Sequence, residues 1–256
     1  MLKKSALLLL ASLLSGCFAL SPEVHEPAPE SELQKVTARF DEVNDPENIQ
    51  CSSYYIKCYA QAPNMQLKIQ METYADLAKK RFCTVVTVPG MPKQVELYDG
   101  RRGYSIIQGV QTKVLTGDKA AFMRYSARYD KPWERLSGRY EKMMLDKNSH
   151  IINGKKCYRL VAQPLGEPTL MPVELFIDQA TFHPVRSRSI VPTDLGKIPC
   201  QVDYIKFRKH EGALVCQTVQ IQQLNMTLRA EVQELKVNCT IPDDIFDAEK
   251  IADEED

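Results

Sequence analysis

Met65-Gln66-Leu67-Lys68-Ile69-Gln70-Met71-Glu72 alternates apolar and polar side chains without a fault. A period of two puts Met65, Leu67, Ile69 and Met71 on one face of a strand and their polar neighbours on the other, which is the pattern of a sheet with one buried face. The same period recurs at 50–60, 81–88 and 94–98, and Asp99-Gly100 turns the chain into a further strand at 103–107. Asn153-Gly154 is the strongest hairpin signal, joining 149–152 to 155–162, because these two residue types accept the positive φ of a type I′ turn. Strands continue at 172–178, 184–190, 201–208, 213–223 and 227–238, with turns near 178–181, at Glu211-Gly212 and around Asn225. Ten or eleven strands at hairpin spacing predict a mainly β (α+β) chain built on a curved antiparallel sheet.

Helical stretches interrupt this period. Ser31-Glu32-Leu33-Gln34 fits a capping box, and Leu33, Val36, Phe40 and Val43 follow at three- and four-residue steps, so a short amphipathic helix is predicted before Asp45-Pro46. Thr116 is placed to cap a second helix reaching about Tyr129, with Ala121, Phe122, Tyr125 and Tyr129 on one face. Pro132-Trp133 then opens a third short helical segment that includes Leu136. Helices inserted in a long meander predict that they cover one end or one face of the sheet.

The N-terminus bears on the compartment. Lys3 and Lys4 precede the apolar run 6–14, and Leu14-Ser15-Gly16-Cys17 resembles the lipobox of the bacterial lipoprotein signal at all four positions. That resemblance implies loss of residues 1–16 and acylation of Cys17 on both its thiol and its amino group, enough chains for stable anchoring. Residue 18 is Phe rather than Asp, which in the sorting scheme of such lipoproteins favours the outer membrane, facing the periplasm. The apolar run is too short to span a bilayer, which takes roughly 20 residues, and no later stretch reaches 18. Residues 21–30, with Pro22, Pro27 and Pro29 among acids, read as a stiff tether. The expected organisation is therefore a signal at 1–16, a lipidated Cys and tether at 17–30, a folded domain at 31–247 and an acidic tail at 248–256.

The chain holds 33 basic and 33 acidic residues in 256, 44% hydrophobic, with 11 Gly. That composition excludes collagen-like and wholly disordered chains. The zero net charge hides an uneven spread: residues 51–242 carry 28 basic against 17 acidic residues, while 18–50 and 243–256 are net −6 and −7. A basic domain with acidic flanks could meet anionic headgroups or an acidic envelope protein, or could simply be a solvated surface. No zinc-finger, RNP or Walker pattern points to nucleic acid or nucleotide. His25, His150, His183 and His210 have no metal-ligand spacing, and there is no G-x-S-x-G elbow or dinucleotide fingerprint, so no catalytic residue, metal or cofactor is assigned. With Cys17 acylated, seven cysteines remain (Cys51, Cys58, Cys83, Cys157, Cys200, Cys216, Cys239), without a CxxC, so at least one has no partner within the chain.

The second half carries more specific signals. Gly154-Lys155-Lys156-Cys157-Tyr158-Arg159-Leu160 is followed by the run from Asp178 through Thr181 and Pro184 to Arg186, then by Asp203-Tyr204 with Gly212, and finally by Asn238-Cys239-Thr240-Ile241-Pro242-Asp243-Asp244-Ile245-Phe246. In this order the segments resemble the LolA-like (LolA/LolB-like) outer-membrane lipoprotein-sorting family, whose members tend to run G-K-x-x-Y-x-L, D-x-x-T-x-x-P-x-R and N-x-x-I-P-D-x-x-F. The likeness spans about 31–247 and is best after 150. It implies an incomplete β-barrel with an N-terminal helix and a helical lid over an apolar cavity that holds acyl chains. Phe122, Tyr125, Trp133 and Leu136 are then the lid candidates, and Met65, Leu67, Ile69 and Met71 the candidate sheet lining. Methionine adapts to variable chains, although the same strand also suits plain core. The implied role is non-catalytic reception, sorting or sensing of a lipid or acylated lipoprotein. A filled barrel docking an envelope protein is the alternative.

Overall fold

The protein is described by a computed structural model covering residues 23–62, 68–194 and 196–253. Cys17, Met65 and Leu67 lie outside the described residues. After helix α1 (Glu30–Asn44), six strands run as a meander: β1 (Ser53–Gln61), β2 (Lys68–Asp76), β3 (Arg81–Thr87), β4 (Gln94–Tyr98), β5 (Gly103–Ile107) and β6 (Gln111–Val114). Helix α2 (Gly117–Tyr129) crosses to the second series: β7 (Tyr140–Leu145), β8 (His150–Ile152), β9 (Lys155–Pro164), β10 (Val173–Asp178), β11 (Pro184–Thr193), β12 (Gly196–His210), β13 (Ala213–Gln223) and β14 (Met226–Val237). A 3₁₀ turn (Asp243–Phe246) and helix α3 (Ala248–Asp253) follow.

All the strands join one antiparallel sheet in the order β6-β5-β4-β3-β2-β1-β14-β13-β12-β11-β10-β9-β7, with β8 also on β9. The last strand returns to pair with the first, Tyr54 opposite Val237 and Gln61 opposite Arg229. The ends β6 and β7 do not meet, so the curved sheet is not closed into a barrel. Asn153 and Gly154 take φ 51° and 77°, the two positive values that the hairpin between β8 and β9 requires.

Differences from the sequence reading have local causes. Strands β6 and β7 were not anticipated. The first is an exposed four-residue edge without apolar alternation. In β7 the register shifts between Glu141 and Met144, with Lys142 at φ 49°. That bulge puts Tyr140 and Leu145, an odd number of residues apart, in the same core cluster, which breaks the period of two. Strand β2 extends to Asp76, beyond the alternating stretch. Helix α1 starts at Glu30 behind Pro29, so Ser31 is inside the helix and caps nothing, while Glu30 and Glu32 face the positive end of the helix dipole.

The expected helix after Pro132 does not form. The backbone N–H groups of Leu136 and Ser137 instead donate to the buried Asp41 carboxylate of α1, at 2.7 and 3.0 Å, and Arg135 pairs with Asp45 at 3.0 Å. A tertiary anchor has replaced the local helical bonds.

Helices α1 and α2 both pack on what we call the inner face of the sheet. Leu33, Val36 and Phe40 of α1 lie against Leu145, Leu160, Leu175 and Ile177. Met123 and Ala127 of α2 lie against Tyr98 and Leu115, with Phe82 beside them. On the opposite, outer face of β3–β5, Cys83, Val95, Leu97 and Ile106 are covered by Phe246, Ile251 and Ala252 from the C-terminal segment.

Candidate functional site

Along β2–β5 the inner face is set by register. Met71 pairs with Val86, Thr73 with Thr84, Thr84 with Glu96 and Glu96 with Ser105, so polar and apolar side chains share the surface beside α2. Helix α2 does not fill the space above it. A cavity of about 670 Å³ remains, lined by Met71, Val86, Ile107, Met123, Val191 and Met226, together with Thr84, Glu96 and Ser105. On the other side of α2 a second cavity of about 190 Å³ lies among Tyr125, Tyr140, Val173, Leu175, Ser187 and Tyr204. Phe122 and Val191 line both, so a ring of α2 and a β11 side chain form the partition.

The two cavities differ electrostatically. At the larger one the turn between β11 and β12 reaches over to α2 and β6. Asp194 binds Lys113 at 3.0 Å and Lys119 at 3.3 Å, Lys119 lies 3.6 Å from Glu96, and Lys197 pairs with Asp118 at 2.8 Å. The hydrogen bond from Lys113 and the neighbouring Lys119 ammonium hold the Asp194 carboxyl below the ordinary carboxylate range. In the smaller cavity the Arg139 guanidinium binds Asp130 at 2.8 Å and Glu134 at 3.0 Å. Tyr204 Oη sits 3.3 Å from both Glu134 Oε1 and Ser187 Oγ, and Tyr125 Oη donates to the Arg139 carbonyl at 3.0 Å. Burial pushes the Tyr140 and Tyr204 phenols well above their ordinary value and that of Tyr125 up to about 12, so all three keep their protons at neutral pH.

The lid and lining candidates separate into groups. Phe122 and Tyr125 lie on the cavity side of α2, and Met71 lines the larger cavity. Ile69 is half-buried at the start of β2, away from the lining. Trp133 is buried among Ala213, Val215 and Leu235, and Leu136 sits under α1 with Phe40; neither lines either of these two cavities. Arg139, Glu134, Ser187 and Val191 were not singled out by sequence. Tyr204 belonged to a quoted motif, but nothing in that motif marked it as cavity-facing. A polar residue on an alternating strand looks solvent-exposed until the tertiary structure shows which face is enclosed.

The same architecture occurs in solved structures. A LolA superfamily protein from Nitrosomonas europaea superposes with a TM-score of 0.53 at 17% identity, over 83% of this chain and 96% of that one. The fold is LolA-like. A domain named as an outer membrane lipoprotein-sorting protein, from Vibrio parahaemolyticus, gives 0.53 at 8% identity over 87% and 97% of the two chains. A DUF1329 family protein from Desulfovibrio piger gives 0.56 at 11% identity over 88% and 99%. Neither a family model nor a curated protein matches the sequence.

Within this LolA-like frame the remaining reactive groups lie apart from the cavities. Among the described residues no group of three or more His, Cys, Asp or Glu side chains could hold a metal. His150 reaches Asp146 at 3.1 Å beside Phe176, and no histidine lines either cavity. The seven cysteines among the described residues are free thiols. Burial pushes Cys51, Cys58 and Cys216 up to about 11 and Cys83 to about 12, which makes them poor nucleophiles at neutral pH.

Proposed function

We propose that this chain is a membrane-anchored envelope lipoprotein that receives acyl chains of a lipid or acylated lipoprotein beside α2, without chemical turnover. The observation that carries the reading is the pair of adjoining cavities, about 670 and 190 Å³, on the inner face of an unclosed sheet. The larger falls within the range of about 300–1,000 Å³ usual for small-ligand sites. Its flexible lining of Met71, Met123 and Met226 suits chains of variable shape. Leu14-Ser15-Gly16-Cys17 supports a lipid anchor on Cys17, and Phe18 supports the periplasmic side of the outer membrane. The LolA-like fold agrees with a sorting, reception or sensing role.

The test is native mass spectrometry of the mature protein, followed by lipid extraction. One lipid per chain, bound reproducibly, is the expected result. A clean apo mass that persists after incubation with envelope lipids would overturn the proposal and direct attention to protein docking on the basic exterior.

A further inference from the structure

The smaller cavity has one feature that acyl-chain binding alone leaves unused. Its charged lining consists of one cation and two anions: Arg139, Asp130 and Glu134. The two terminal nitrogens of Arg139 are taken by those carboxylates. Its Nε is buried and has no hydrogen-bond partner. A guanidinium carries five N–H donors, and a buried donor without an acceptor is costly. The hydroxyls of Ser187 and Tyr204 line the same space, 3.3 Å apart. The wall therefore offers donors, yet its net charge is negative.

Resting on the function proposed above, we infer that the smaller cavity receives the neutral acyl linkage of the ligand, an ester or amide carbonyl, and discriminates against a free fatty-acid carboxylate. A carbonyl oxygen can accept from the Ser187 hydroxyl, which lines the cavity, without bringing charge. A carboxylate entering the same place would lose its hydration and meet Asp130 and Glu134, whose charges Arg139 balances only once. Phe122 and Val191 then mark the point where the linkage passes into the larger, methionine-lined space that takes the hydrocarbon.

The experiment is a competition on the mature chain, purified and stripped of co-purifying lipid, with equimolar methyl palmitate and palmitate at neutral pH, read by native mass spectrometry. The two ligands differ only by the methyl cap on the carboxyl. The ester adduct is expected to exceed the acid by about tenfold. Glu134→Gln removes one negative charge and keeps one of the two acceptor oxygens that bind Arg139 and Tyr204, and is expected to narrow that ratio at least severalfold when the comparison is made per folded molecule. Equal binding of the two ligands, preference for palmitate, or an unchanged ratio in Glu134→Gln would overturn the inference while leaving acyl binding intact. Failure of both ligands to bind would overturn the proposed function as well. Separate incubations with dipalmitoylglycerol and with a synthetic diacylglyceryl-cysteine peptide then identify whether a glycerolipid or a lipoprotein supplies the linkage. Binding of either supports the inference, and exclusion of both in favour of palmitate overturns it.

Discussion

Under α1 the inner face of the sheet is closed: Leu33, Val36 and Phe40 meet Leu145, Leu160, Leu175 and Ile177, all at 8% exposure or less. Beside α2 the same face carries Thr84, Glu96 and Ser105 between Met71, Val86 and Ile107, and about 670 Å³ stays open. The difference lies in which way the best apolar residues point. In β9 and β10, Leu160, Leu175 and Ile177 face inward. In β3–β5, Cys83, Val95, Leu97 and Ile106 face outward and are sealed by the 3₁₀ turn and α3. The sheet under α1 thus builds its core inside, whereas β3–β5 share theirs between the outer face and a smaller inner cluster of Phe82, Tyr98 and Leu115 under α2. A cavity can persist beside that cluster because much of the hydrophobic stabilisation of the region comes from the opposite face.

Three changes test this division, in falling order of effect. Phe40→Ala removes a fully buried ring from the closed half; it should cost about 3–5 kcal/mol in urea unfolding while leaving lipid bound per folded molecule unchanged. Loss of lipid at matched folding would show that the two halves are not independent. Phe246→Ala strips the ring that closes the outer core of the open half. A loss of about 3 kcal/mol, accompanied by easier proteolysis after residue 242, is expected, whereas a change below about 1 kcal/mol would mean that the outer core does not support β3–β5.

Asp194→Asn is the mildest change. It weakens the ties from the β11–β12 turn to Lys113 and Lys119. Because Asp194 is about half exposed, with 53% of its side chain accessible, solvent screening limits the effect to about 0.2–1 kcal/mol, toward the low end. Its carboxyl lies below the ordinary range when folded, so the contribution is present above the unfolded value near 4 and fades as pH falls through the lower folded value. A wild-type stability advantage that grows on acidification, or that is insensitive to salt, would contradict this assignment.

The resemblance in the second half was legible for a physical reason. Asn153-Gly154, the Asp178–Pro184 loop and Ile241-Pro242 sit at turns, where backbone conformation restricts residue choice. The first half depends on alternation, which identifies a strand without saying which face is the core. Thr84, Glu96 and Ser105 therefore gave no sign of lining a cavity, and Leu97 gave no sign of packing beneath a C-terminal helix. Trp133 shows the converse. The family resemblance made it a lid candidate, but with the N–H groups of Leu136 and Ser137 held by Asp41, it packs into the core beside Val215 and Leu235.

By itself the sequence determined a mainly β chain, most of its strands and the Asn153-Gly154 hairpin, the two long helices and the apolar stripe of α1, because these follow from periods and turn chemistry that act over a few residues. Tertiary structure alone decided that β14 closes onto β1, that the bulge in β7 realigns its core residues, and that Arg139, Glu134, Tyr204 and Ser187 converge beneath α2. These outcomes depend on contacts between residues tens to nearly two hundred positions apart, where local preference carries no information and the packing of one face against another does.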